Sequence, residues 1–204
     1  MAKTRNGRQQ RTRRSSRRTN RRRRRQAKRN PLAWWVIAAG VAVVVAVGAL
    51  ASTGGSSAGS TDPRVFDLPM LTGDGRVRLA DFRGKPVVVN FFASWCDACE
   101  FELPAFAAAA RELEGEVTFI GVNSLETGDG TRMAQEFALA DSGFVLARDI
   151  NGNRGSGLHD ALGGRGMPIT AFYDARGRLV DFAGGALPES ALRQRLRQLY
   201  DVKV

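Results

Sequence analysis

The chain contains two cysteines, and both lie in one short motif. Cys96 and Cys99 are separated by two residues and follow an apolar stretch at 87–92. Residues 96–113 are predicted to form a helix, so Cys96 stands at or near the helix N-terminus, where free N–H groups and the helix dipole stabilise an anion. The thiolate is the nucleophilic form of cysteine. Because Cys99 returns one turn later on the same side, the pair is predicted to be a dithiol that exchanges with disulfides.

Three other uses of a Cys-x-x-Cys motif are weaker. A zinc site needs further ligands, but no other cysteine exists and His159 is the single histidine. Covalent haem attachment needs a histidine after the second cysteine, where Glu100 stands. A purely structural disulfide would close too small a loop to constrain much of the chain. We therefore expect no metal and no cofactor. His159 lies in a predicted helical turn, and we expect it to be solvent-exposed and away from the dithiol.

Strand and helix patterns alternate around the motif. The sequence VVVNFF at 87–92 is rich in β-branched and aromatic residues, which is typical of a strand buried on both faces. The other predicted strands are 117–122, 144–147, 169–173 and 178–183, and the predicted helices are 96–113, 131–140, 157–162 and 188–200. This order predicts an α/β sandwich with a mixed sheet.

Positive charge is concentrated at the N-terminus. Of the 31 Lys and Arg residues, 15 lie in residues 1–30, which contain no acid, and the other 16 share the rest of the chain with all 20 acidic residues. Like charges at this density repel, and the segment offers almost nothing to bury, so 1–31 is predicted to be a disordered cytoplasmic tail. Since the remainder is net acidic, a nucleic-acid-binding function loses its main support.

Residues 32–51 are uncharged and largely apolar. A helix over them is about 30 Å long and matches a bilayer core, so we expect one transmembrane helix acting as a signal anchor. The basic tail before it places the N-terminus in the cytoplasm and the rest of the chain outside. The alternative is a cleaved signal peptide, since 49–51 has the A-x-A form of a cleavage site, although the apolar run is long for a signal.

The Gly/Ser-rich stretch 52–62 is predicted to be a flexible linker. The folded domain then covers 63–204, which is enough chain for one hydrophobic core.

Five spaced motifs run through that domain, at 66–69, 79–96, 99–104, 166–170 and 174–178. Together they resemble the TlpA/ResA branch of the thioredoxin superfamily, whose members are membrane-tethered extracytoplasmic thiol-disulfide oxidoreductases. The resemblance covers about residues 63–200. It implies a thioredoxin-like mixed β-sheet flanked by helices, of the kind also found in redoxin and AhpC/TSA domains.

The resemblance also implies roles for individual residues. Cys96 corresponds to the exposed attacking thiol and Cys99 to the resolving thiol. Glu102, in the pattern C-x-x-C-x-x-E-x-P, is implied to carry protons to and from Cys99, the alternative being an ordinary glutamate on the helix surface. The residues implied to contact substrate are Trp95, Met167 and Pro168. Pro168 is implied to be cis, and Met167 to offer its backbone to an extended substrate.

Three positions depart from the pattern of relatives. Asn90 stands where thioredoxins proper keep a buried Asp that accepts a proton. Ala98 replaces the usual proline between the cysteines, and Asp97 is an acid where many relatives have an apolar or small residue. A carboxylate beside Cys96 disfavours the thiolate, so we expect a reducing dithiol, nearer about −230 to −270 mV than −120 mV.

These features predict a membrane-tethered reductase of exported protein disulfides, with a membrane electron-transfer protein as redox partner and anionic lipid in contact with the tail. Cytochrome c maturation is one process that the resemblance implies. The alternatives are a disulfide oxidase, a thiol peroxidase of the redoxin group and a membrane interaction protein that uses its Arg-rich tail. Peroxidases of that group keep a Thr three residues before the reactive cysteine, and Ala93 stands there instead.

Overall fold

The computed structural model describes residues 60–204. The predicted tail 1–31, the predicted span 32–51 and most of the linker 52–62 lie outside this part. Within residues 60–204, none of the helices is long and apolar enough to cross a membrane.

The strands form one large and one small sheet. Their bounds are β1 (Asp67–Pro69), β2 (Arg76–Arg78), β3 (Val87–Phe92), β4 (Thr118–Asn123), β5 (Phe144–Arg148), β6 (Ile169–Tyr173) and β7 (Leu179–Gly184). The large sheet has the order β5-β4-β3-β6-β7. Strands β3, β4 and β5 are parallel, whereas β6 is antiparallel to both β3 and β7. The expected mixed sheet is therefore confirmed.

Strand β3 lies at the centre of this sheet and all six of its residues are buried. Its side chains alternate between two apolar clusters, with Val88 and Phe92 on one face and Val87, Val89 and Phe91 on the other. Burial on both faces is the reason that the sequence of this strand is almost continuously apolar. The strand ends directly before the cysteine motif and fixes its position.

In the described part of the chain, four α-helices flank the sheet: α1 (Asp97–Glu112), α2 (Gly130–Glu136), α3 (Leu158–Ala161) and α4 (Glu189–Tyr200). Helices α1, α2 and α4 contribute to the cluster on one face of the sheet, and α3 contributes to the other. In the first cluster Leu103 and Phe106 of α1 are fully buried together with Leu192 of α4. Each such side chain stabilises the fold by about 1.5–3 kcal/mol.

Most predicted elements match the structure to within one residue at each end, and the helix predicted at 131–140 differs most. The helix predicted at 131–140 ends at Glu136 because Ala138 has a φ of 47°, which a right-handed helix does not allow. A short 3-10 helix follows at Ala140–Ser142. The strand predicted at 117–122 is shifted by one residue, to Thr118–Asn123.

The hairpin of β1 and β2 was not predicted. Each strand has three residues, too few for a clear alternation of apolar and polar positions. Leu68 and Val77 nevertheless pair across the hairpin and are buried in the same cluster as β3 residues. The hairpin thereby covers the face of the sheet opposite α1.

Candidate active site

Cys96 and Cys99 form a disulfide at the start of α1. Cys96 is the residue that caps the helix N-terminus, and Cys99 lies in the first turn. The S–S bond is 2.08 Å long and the two Cα atoms are 5.2 Å apart. The Cys99 N–H donates to Cys96 Sγ at 3.1 Å. Because an N–H group at a helix N-terminus favours an anion, the same geometry stabilises a Cys96 thiolate once the bond is reduced.

The expectation of an exposed Cys96 is wrong for this oxidised state. Cys96 is 4% exposed and Cys99 is fully buried. The Cys96 side chain turns inward to bond Cys99, and both belong to the apolar cluster that contains Ala93 and Leu103. Of the two residues, only Cys96 retains any surface, so an incoming thiolate reaches it first.

Trp95 lies at the surface beside the disulfide and is 47% exposed. Its Nε1–H donates to the carbonyl of Leu125 at 2.7 Å, which fixes the indole against the loop that follows β4. Leu125 has a φ of 51°, an uncommon value for a residue with a side chain. Trp95 thus presents an apolar face next to the cysteines in a defined orientation.

Glu126 accepts hydrogen bonds from Ser94, the residue before Trp95. This role of Glu126 was not predicted from the sequence. Its carboxylate accepts hydrogen bonds from Ser94 N at 2.9 Å and Asn123 Nδ2 at 2.7 Å, and further bonds from Ser94 Oγ and from the N–H groups of Thr127 and Gly128. Although partial burial opposes it, this set of donors lowers the pKa of Glu126 to about 2. The sequence carries only a weak signal for this role, an acid shortly after a predicted strand.

Glu102 is buried on α1, one turn after Cys99, and is 1% exposed. The alternative of a surface glutamate is therefore excluded. Its Oε1 accepts from Asn90 Nδ2 and its Oε2 from Leu187 N, each at 2.7 Å. Desolvation disfavours the charged form more than these two bonds favour it, and it raises the pKa of Glu102 to about 7.

Asn90 connects Glu102 to the neighbouring strand. It is fully buried on β3, opposite Thr170 of β6, and its Nδ2 also lies 3.2 Å from Thr170 Oγ1. Asn90 Oδ1 has no hydrogen-bond partner within residues 60–204. If the amide turns over, this oxygen faces Glu102 and accepts a hydrogen bond from the protonated carboxyl. The site therefore suits both protonation states of Glu102, although Asn90 itself cannot take up a proton.

The loop before β6 carries the other predicted substrate-binding residues. The Met167–Pro168 peptide bond is cis, as the resemblance implied. Pro168 is buried, and its carbonyl accepts from Gly185 N at 2.9 Å. Within residues 60–204 neither the N–H nor the carbonyl of Met167 has a hydrogen-bond partner. A groove of about 370 Å³ follows this loop, lined by Met167, Ile169 and Phe182 among others.

The expectation of an exposed His159 is wrong, because this residue is 2% exposed. The ring packs edge-on against Phe91, with ring centroids 6.0 Å apart. Its Nε2 lies 3.0 Å from the carbonyl oxygen of Gly166, in the loop before β6. The predicted helical turn is correct, but α3 faces the sheet, so its second residue points into the protein.

No metal-binding cluster of three or more His, Cys, Asp or Glu side chains occurs within residues 60–204.

An exchangeable disulfide that caps a helix directly after the central strand of such a sheet is characteristic of thioredoxin-like thiol-disulfide oxidoreductases, and the protein is an enzyme of this class. Residues 63–181 match the AhpC/TSA family, to which the chain belongs, within its ResA-like branch.

Individual relatives agree with this assignment. The thiol:disulfide interchange protein DsbE of Pseudomonas fluorescens is 34% identical over 140 residues, which are 68% of this chain and 74% of that protein. The thiol-disulfide oxidoreductase ResA of Oceanobacillus iheyensis is 30% identical over 125 residues, 60% of this chain and 62% of that protein. Among solved structures, the exposed lipoprotein thioredoxin Etrx1 of Streptococcus pneumoniae aligns with a TM-score of 0.55 and 29% identity, over 66% of this chain and 99% of its own.

Proposed function

We propose that the protein is a membrane-tethered reductase of disulfides in exported proteins. The observation that carries this proposal is the Cys96–Cys99 disulfide at the N-terminus of α1. The chemistry needs two thiols of unequal accessibility, and Cys96 is the one with any surface.

In the reducing direction the Cys96 thiolate attacks a substrate disulfide. A mixed disulfide forms between Cys96 and one substrate sulfur, and the other substrate sulfur leaves as a thiol. Cys99 then attacks Cys96 Sγ and releases the second substrate thiol. The substrate gains two electrons and the enzyme loses two, which leaves the Cys96–Cys99 disulfide. A reduced partner dithiol at the membrane must return two electrons to restore the enzyme.

We assign proton transfer at Cys99 to Glu102. Cys99 must lose its proton before it attacks, and the Glu102 carboxylate takes this proton and later passes it to a leaving thiolate. Two observations support the assignment: Glu102 lies one turn from Cys99 on the same helix, and its pKa of about 7 suits a group that gains and loses a proton near neutral pH.

We assign substrate contact to Trp95, Met167 and Pro168. An extended substrate would pair with the free N–H and carbonyl of Met167, as a strand adds to a sheet edge. The partly exposed Trp95 ring, next to Cys96 in the chain, offers apolar contact.

The tether and its direction rest on the sequence. The apolar residues 32–51 would span the membrane once, the basic tail 1–31 would stay in the cytoplasm against anionic lipid, and the linker 52–62 would hold the domain 63–204 outside. Exported proteins, including apocytochromes c, are the substrates this topology would expose to the dithiol.

Trapping tests the proposal in cells. Cys99→Ser should retain exported substrates on Cys96 as mixed disulfides, because the resolving thiol is missing. They should run as adducts on non-reducing gels and disappear on reduction. The double variant Cys96→Ser, Cys99→Ser should trap nothing. Adducts confined to cytoplasmic proteins would contradict the proposed topology, and the absence of adducts would contradict the proposed exchange.

A further inference from the structure

His159 connects helix α3 to the loop that precedes β6. It is the single histidine of the chain and is buried, and the reaction described above does not use it. Its Nε2 lies 3.0 Å from the Gly166 carbonyl oxygen. A carbonyl oxygen can only accept, so the ring must carry its hydrogen on Nε2 and donate it. The other ring nitrogen, Nδ1, has no hydrogen-bond partner within residues 60–204.

The loop that precedes β6 packs closely against the His159 ring. A Cβ atom on Gly164 would come within 2.5 Å of two His159 ring atoms, so only glycine leaves room for the imidazole. Beyond the ring, Gly185 N donates to the Pro168 carbonyl at 2.9 Å. The loop is thus held on both sides of Met167, the residue between the two anchored carbonyls.

The backbone at His159 is itself anchored. The buried Asp149 follows β5, and its carboxylate accepts from His159 N at 3.0 Å and from Leu158 N at 2.8 Å. The same carboxylate accepts from Ser124 Oγ at 2.8 Å, and Ser124 N donates to the carbonyl of Phe92 at the end of β3. Hydrogen bonds therefore run from the strand that leads to the cysteines, through Asp149 and His159, to Gly166.

We propose that His159 is a positioning residue for polypeptide substrates. By fixing the Gly166 carbonyl, it holds the backbone of Met167 in place for pairing with a substrate strand, and a residue before proline favours the extended angles that such pairing needs. This inference rests on the proposed pairing of substrate with Met167. His159 does not touch the reacting sulfurs, so exchange with a small disulfide does not depend on it.

Kinetics of the full chain separate this role from a general structural one. In His159→Phe the ring shape is kept and the donor is lost, whereas in His159→Gln a donor is kept at similar reach. For a protein disulfide, His159→Phe should raise KM about tenfold with kcat unchanged, as expected for one lost hydrogen bond. For a small dialkyl disulfide its rate should stay within about twofold of the parent, as should that of His159→Gln on both substrates. The neighbouring Asp160→Asn is the matched control.

Two kinetic results would overturn the proposal: an equal loss on both substrates, or an unchanged KM for the protein disulfide. Failure of His159→Gln to restore KM would also count against the hydrogen bond. If the unsubstituted protein reduced neither the protein disulfide nor the small disulfide, the proposed function itself would be contradicted. The two failures are therefore distinguishable.

Nitrogen NMR of the unsubstituted chain tests the contact without any variant. With ¹⁵N-labelled histidine, the single imidazole should show a proton on Nε2 that exchanges slowly with water. A proton on Nδ1, or exchange as fast as in a free imidazole, would overturn the proposal.

Discussion

Glu102 is a carboxyl group that is 1% exposed, and its protonation is linked to the stability of the fold. Burial raises its pKa from 4.5 to about 7. Between these pH values the folded protein retains a proton that the unfolded chain has lost. Raising the pH through this window therefore favours the unfolded state, by up to about 3 kcal/mol.

Glu102→Gln should remove this pH dependence, because a neutral amide has no charge to desolvate. Relative to the parent, the variant should gain about 2–3 kcal/mol of unfolding free energy between pH 4.5 and 8. Urea unfolding of the oxidised protein at the two pH values measures this difference. Glu100→Gln, an exposed neighbour on the same helix, should follow the parent at both.

The same substitution should shift the pH profile of disulfide exchange, because it removes the proposed proton acceptor for Cys99. A profile identical to the parent's would restrict Glu102 to a structural role.

We expect Asp97 to affect the dithiol through its charge. It is exposed, and it is the first residue of α1 after Cys96. Its carboxylate opposes the effect of the helix N-terminus on the thiolate. Asp97→His should therefore raise the reduction potential of the dithiol and speed the alkylation of Cys96 at low pH. If the two quantities do not change together, the electrostatic argument is wrong. Asp97→Glu, which keeps the charge, is the control.

At the scale of elements, the turn between β3 and α1 depends on the loop after β4. Glu126 holds Ser94, and Leu125 holds Trp95, so this loop fixes the approach to the cysteines. A carboxyl with a lowered pKa stabilises the fold above its ordinary pKa of 4.5, and this contribution is lost as the pH falls towards about 2.

Glu126→Gln should lower the unfolding free energy at pH 7 by about 1–2 kcal/mol, after allowance for the solvent that screens this half-exposed group. The deficit should shrink as the pH is lowered from 5 to about 2, because the parent carboxyl becomes neutral as well. Chemical unfolding across that range measures it. Glu136→Gln, an exposed position on α2, should cost little at any pH, and a pH-independent deficit for Glu126→Gln would contradict the role given to its charge.

The sequence predicts the long elements well, because their patterns are local. Strand β3 was predicted at its observed bounds, because the nearly continuous apolar sequence VVVNFF indicates a strand that is buried on both faces. The end of α2 was missed because it depends on one residue, Ala138, with a positive φ. Strands β1 and β2 were missed because three residues are too few to show a period.

At the site, Cys96 and Cys99 were predicted from their spacing at the start of one helix. Glu102, Met167 and Pro168 were predicted only through the resemblance to a known family. His159 and Glu126 act through partners in other elements, Gly166 and Ser94. No local pattern distinguishes a buried histidine on a short helix from an exposed one, and the expectation for His159 was accordingly wrong.

At the scale of the whole molecule, all residues assigned to chemistry lie beyond the proposed linker. We therefore predict that residues 63–204, expressed alone, form a soluble monomer that reduces insulin in the presence of dithiothreitol. Turbidity of precipitating insulin measures the activity, and Cys96→Ala should reduce it to the uncatalysed rate. Undiminished turnover in that variant would remove Cys96 as the nucleophile.

The reduction potential of the Cys96–Cys99 pair most directly tests the proposal that the protein is a reductase. The protein is equilibrated with glutathione or dithiothreitol buffers, and the reduced fraction is read by thiol labelling. We predict a two-electron transition with a midpoint of about −230 to −270 mV, in the range of cellular reductants. A midpoint above about −180 mV would contradict the account and make the protein an oxidase or isomerase.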